Sequence, residues 1–198
     1  MTLVLLDTNV YLRLAKRVRP LLGSPFSANN YIITILTDVE NEVLTRKDTL
    51  LYRNPWFTNQ DLSSERLAHT VRLTAAEKTD LNNAISVLQG LVKGDSRYVA
   101  QGRSPPSRVD CKVLAFSQIR PSIIVTDDLG MHLVASETEI SVWHGYQLIE
   151  QMLIANAIDA ELVKSIYEAL ENNGDMTKTW KDAKHTTFKK IFGNKPII

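Results

Sequence analysis

Two short apolar runs, TLVLL at 2–6 and SIIV at 122–125, carry no charge, and each ends on aspartate. Asp7 follows the first, and Thr126, Asp127 and Asp128 follow the second. Brief, uncharged, β-rich runs of this kind suit strands covered on both faces, the usual condition of a parallel sheet. Between them the pattern is helical. Val10, Leu14 and Val18 recur at i, i+4 and i+8 beside Arg13, Lys16 and Arg17. YIITILTDVENEVLTRK at 31–47 reads as one helix with Ile32, Ile35, Leu36, Val39 and Val43 on a single face. On that wheel Glu40 borders the apolar face, while Asp38 and Glu42 turn away from it.

Further along, Thr74 and Glu77 form a capping-box pattern for a helix reaching about Lys93. Pro105 and Pro106 introduce another at 109–119, with Asp110 in its first turn. ISVW at 140–143 reads as a further strand, and 144–158 as a helix. Asp159 caps a helix that Gly174 ends, and a last one runs from about Thr177 to Gly193 with Trp180, Phe188, Ile191 and Phe192 on one side. The stretch 46–108 is more irregular. Strands alternating with helices predict an α/β fold with a mainly parallel sheet.

At 198 residues with 44% hydrophobic content the chain can bury a sizeable core. One domain at 1–158 with a helical extension at 159–198 is expected. The net charge of +1 favours no class of partner, but its distribution is uneven. Residues 137–171 hold seven acids against Lys164 alone; residues 175–198 hold six lysines against Asp175 and Asp182. An acidic helix followed by a basic tail suits contact with nucleic acid or a second subunit. A single cysteine, Cys111, excludes an intramolecular disulfide and a cysteine-based zinc cluster, and a reducing cytoplasm is expected. No run approaches the ~18 apolar residues of a membrane span.

Ligands of open α/β sheets bind at the carboxyl ends of the strands. If the two runs are parallel neighbours, Asp7, Asp127 and Asp128 converge on one edge, with Asp110 and Glu40 able to join them. Taken singly, each acid has a plainer reading: Asp7 as a helix cap, Asp110 as an acid favoured by the helix dipole, Asp127 or Asp128 as turn or cap, and Glu40 as a solvated helix acid. Taken together, the carboxylates repel and raise one another's pKa unless a cation sits among them. Oxygen donors without His or Cys point to Mg2+ or Mn2+, whose chemistry on a phosphodiester is to polarise it and activate a water. His132 and His144 are then not needed as catalysts. Arg97, Arg103 and Arg108, on the 94–108 loop, would hold RNA phosphates or simply face solvent.

Three stretches carry a resemblance: LLDTNVYL at 5–12, ITILTDVE at 33–40 and RVDCKVLAFSQIRPSIIVTDD at 108–128. They resemble PIN-domain ribonucleases, a family containing many bacterial toxin nucleases, over roughly residues 1–150. The resemblance implies a PIN-like α/β/α sandwich and a Mg2+- or Mn2+-dependent endoribonuclease. Asp7, Asp110 and Asp128 would be its metal ligands, with Glu40 a further ligand or the group positioning the attacking water. Thr8, Asn9, Thr126 and Asp127 would support the carboxylates, the Thr-x-Asp spacing favouring Asp128 over Asp127 as the ligand. The partners implied are an RNA substrate, a cognate antitoxin protein and a second copy of the chain. The alternative is a catalytically silent module of the same fold, binding RNA or protein through its C-terminal helices. A haloacid-dehalogenase-type phosphatase ranks below both, because Asn9 stands where that chemistry needs a second aspartate.

Overall fold

The computed structural model describes residues 1–100 and 104–194. The strands β1 (Thr2–Leu6), β2 (Pro25–Phe26), β3 (Tyr31–Thr34), β4 (Ser122–Val125) and β5 (Val142–Trp143) form one sheet in the order β2-β3-β1-β4-β5. β3, β1, β4 and β5 are parallel, and β2 pairs antiparallel with β3 at the edge. The sheet is therefore mainly parallel, as the two apolar runs predict. β1 lies at its centre with β4 beside it, Leu6 opposite Val125, so the two aspartate-ended runs are indeed neighbours. Successive side chains of β1 alternate between two cores: Val4 and Leu6 enter one, Leu5 the other.

Helices cover both faces. α4 (Ala75–Val92), α6 (Arg108–Phe116) and α7 (Leu129–Glu137) pack Leu81, Ile85, Leu114, Phe116, Met131 and Val134 on the Leu5 side. α1 (Thr8–Leu14), α2 (Thr37–Thr45), α8 (Gly145–Ile154), α9 (Ala160–Asn172) and α10 (Lys178–His185) pack Val10, Val39, Leu148, Ile166 and Trp180 on the other. α3 (Gln60–His69), α5 (Ser96–Ala100) and α11 (Lys189–Phe192) complete the α-helices among the described residues. Val163, Ile166, Tyr167, Leu170, Trp180 and Phe188 share one cluster with Val4 and Leu6, so residues 159–192 help to build the core beneath the sheet. Among the described residues, no helix is long and apolar enough to cross a membrane.

Two helices expected from the sequence are divided. The 31–47 stretch is not one helix: Tyr31–Thr34 is β3, paired in register with residues 2–5, and α2 starts only at Thr37. Ile32, Ile33 and Thr34 are β-branched and fit a pleated surface better than a helix. The helix expected at 177–193 is interrupted between His185 and Lys189. α3 lies in the irregular region without an apolar stripe to announce it, burying only Leu62 and Arg66. Its C-terminus closes on Gly23, where φ is +82° and an added Cβ would stand 2.2 Å from His69 Nδ1.

Candidate metal centre

Asp7 leaves β1 and immediately caps α1, its Oδ1 accepting from Val10 N at 2.7 Å. Its other oxygen accepts from the Thr126 hydroxyl at the end of β4. The same hydroxyl accepts from Asp128 N at 3.1 Å, so one fully buried threonine joins the two aspartate positions across the sheet. Asp128 in turn caps α7, with Oδ1 taking Met131 N at 2.9 Å. Burial of Asp7, which is 4% exposed, pushes its carboxyl up to about 7. The hydrogen bonds from Thr126 and Val10 oppose that rise, and the charge of Asp127 adds to it.

Asp110 sits at the third position of α6 in a reciprocal capping box. Ser107 N donates to Asp110 Oδ2 at 2.8 Å, and Asp110 N donates to Ser107 Oγ at 3.2 Å. Burial raises its pKa, the Ser107 bonds hold it down, and repulsion from Asp128 and Glu42 raises it further. The simple capping readings of Asp7, Asp110 and Asp128 are thus all realised, at the N-termini of three different helices. A neutral Asn or Ser would cap Asp7's helix without desolvating a charge.

The glutamate that approaches this group is Glu42. Thr8 Oγ1 donates to Glu42 Oε2 at 2.6 Å, and Arg46 lies 3.2 Å from its other oxygen. Glu40 instead lies against Arg66 of α3, 3.1 Å from Nε. Starting α2 at Thr37 turns Asp38 and Glu42, one turn apart, toward α1 and α6; Asp38 meets Lys112 of α6 at 2.6 Å. An i, i+4 acid pair is the available signal in the sequence, but a helix running from residue 31 turns both acids away from the site. Thr8 donates to Glu42 rather than to Asp7 or Asp128. Asn9 is exposed.

Asp127 is turned away from its neighbour Asp128 into a network of its own. Oδ1 accepts from Gly145 N at 3.0 Å, and Oδ2 accepts from Trp180 Nε1 at 2.8 Å and pairs with Arg13 at 2.6 Å. Burial pushes this carboxyl up, but His144, Arg13, Trp180 and Gly145 outweigh it and hold it below the usual range. His132 and His144 stack at 3.8 Å beside it, His132 Nε2 lying 2.9 Å from the Thr126 carbonyl. The loop arginines stand apart from the acids: Arg97 is bound by Asp95 and Glu137, and Arg108 donates to Gln89 at 3.1 Å. Arg103 lies outside the described residues. Cys111 is buried, and burial together with the Asp110 charge pushes its thiol up to about 11, which leaves it no nucleophile.

No family model matches the chain, and no curated protein does.

The donor chemistry fits a hard divalent cation. Asp110 Oδ1 and Asp128 Oδ2 take no hydrogen bond among the described residues, and Asp7 Oδ2 keeps a lone pair beyond its bond from Thr126. Burial raises the pKa of Asp7 and Asp110, the charges of neighbouring acids add to the rise, and a bound cation would oppose both. The acids nevertheless stand apart: among the described residues, no three His, Cys, Asp or Glu side chains are close enough together to hold an ion.

Proposed function

We propose that the chain is a PIN-like, Mg2+- or Mn2+-dependent endoribonuclease. The observation that carries this reading is that Asp7 and Asp128 stand at the adjacent ends of β1 and β4, bridged by Thr126, while Asp110 opens α6 within electrostatic reach of Asp128. Asp7, Asp110 and Asp128 are the residues that would hold the ion. When bound, such an ion polarises a phosphodiester and lowers the pKa of a water. Thr126 fixes the Asp7 carboxylate and the backbone of Asp128 relative to each other. Glu42, oriented by Thr8, is the group placed to steer a water, and it takes the role that the resemblance assigns to Glu40. Asp127 positions the loop that presents Asp128 and takes no part in the chemistry. The setting this reading implies, the toxin of a toxin–antitoxin pair, belongs to the resemblance and is tested by co-purification with a partner.

The separation of the acids favours a second reading, a silent PIN-like module that binds RNA or protein without cutting. The two readings part on one experiment: cleavage of a mixed pool of labelled RNAs with Mn2+ by wild type, Asp110→Asn, Glu42→Gln and Glu40→Gln. Discrete cuts by wild type that Asp110→Asn and Glu42→Gln lose, and that Glu40→Gln keeps, support the nuclease with this assignment. Loss in Glu40→Gln alone returns the role to Glu40. Cleavage by Asp110→Asn sinks the metal assignment, and no cleavage by any protein, with Mn2+ bound, supports the silent module.

A further inference from the structure

One turn of α2 separates Glu42 from Asp38, a rise of ~6 Å, and at Asp38 the surface changes character. Asp38 forms the near wall of a groove of about 570 Å³ that runs between α2, the 71–73 segment and α4. Its charged lining is Asp38, Arg72, Lys78 and Lys112, with Val71 and Leu73 as apolar floor. Lys112 is neutralised by Asp38 at 2.6 Å, but Arg72 and Lys78 are exposed and have no acid within 4.0 Å among the described residues. The carboxylate of Glu42, held by Thr8, and the cationic groove that begins at Asp38 and Lys112 thus lie one turn apart along α2.

From this juxtaposition we infer that the groove seats the nucleotides next to the scissile one, with Arg72 and Lys78 holding flanking phosphates of a single strand. The inference rests on the nuclease reading for its substrate class and extends it to the residues that grip the strand. A strand arriving at acids alone would be repelled. Free cations one step along supply the attraction, and the apolar floor accepts a sugar or base face. Arg97, whose charge Asp95 and Glu137 consume, does not serve this purpose. Asp38 opposes it: its carboxylate competes with phosphate for Lys112.

The test is binding of a short, unstructured, labelled RNA strand in EDTA, followed by fluorescence anisotropy across a salt series. Each phosphate contact on a single strand contributes about 0.7 to the slope of log affinity against log salt. Arg72→Gln with Lys78→Gln should therefore lower the slope by about 1.4, and shrink the affinity loss between about 50 and 200 mM salt roughly sevenfold. Asp38→Asn should tighten binding, whereas Arg97→Gln should leave the slope unchanged. All four positions are at the surface, and thermal melts check that each variant is folded. A double variant with the wild-type slope, a slope lowered by Arg97→Gln instead, or a wild type that binds no RNA overturns the groove. Groove-dependent binding without cleavage in Mn2+ leaves the groove standing and removes the nuclease reading.

Discussion

Asp7→Asn is expected to make the protein more stable at neutral pH, and by an amount that grows with pH. Burial pushes the Asp7 carboxyl from its ordinary 3.8 to about 7 in the folded chain. Between those values the folded protein keeps a proton that the unfolded chain gives up. Stability from this group is therefore complete below about pH 4 and is lost as pH rises to 7. At 1.36 kcal/mol per pH unit the loss amounts to about 4 kcal/mol. Asparagine keeps the acceptor that caps Val10 N and can donate toward Thr126, so the cap survives the exchange. Urea denaturation in EDTA from pH 4 to 8, read by tryptophan fluorescence, would give stability curves for wild type and variant. Their difference should be small at pH 4 and reach about 4 kcal/mol by pH 8, where the variant should melt roughly 8–16 °C higher. The other titrating groups cancel in that difference. Parallel curves would refute the claim that Asp7 is a strained, desolvated carboxylate, and with it the need for a cation.

Mn2+ at ten times its dissociation constant should stabilise wild type by about 1.4 kcal/mol, a rise of roughly 3–6 °C in melting temperature; Asp110→Asn should lose that response, as scanning fluorimetry would show. Arg66→Ala should cost about 3 kcal/mol in urea titration. The guanidinium donates to the Phe57 carbonyl at 2.9 Å and lies 3.8 Å over the Phe57 ring, and removing it leaves that buried carbonyl unpaired. Trp180→Phe removes the donor to Asp127 and leaves a smaller ring in a fully buried site, and should cost about 3 kcal/mol or more in the same titration.

Much of this arrangement was readable in the order of residues because it is local. The Thr74–Glu77 box, the Asp159 cap and the aspartates closing two apolar runs each depend on neighbours within a few positions, and all appear in the structure. Glu42 was not readable, because its direction depends on where α2 begins and on which helices lie across from it. A stretch mixing β-branched residues with a helical period hid that start. Arg66 was invisible for a related reason: an arginine in a weakly patterned segment reads as exposed, and its bonds to Glu40, Tyr11, Phe57 and Ser63 are what make its burial tolerable. Asp127 looks like the free middle of a Thr-x-Asp motif, yet its partners lie 114, 18 and 53 residues away.

That carboxylate has a consequence for the order in which the molecule becomes competent. Arg13 is made early and Gly145 later, but Trp180 follows every strand of the sheet. A ribosome that has completed β1 through β5 has therefore produced all the acids of the candidate centre without the indole that secures the loop beside Asp128. The loop beside Asp128 therefore gains its last anchor only after every strand of the sheet has been synthesised.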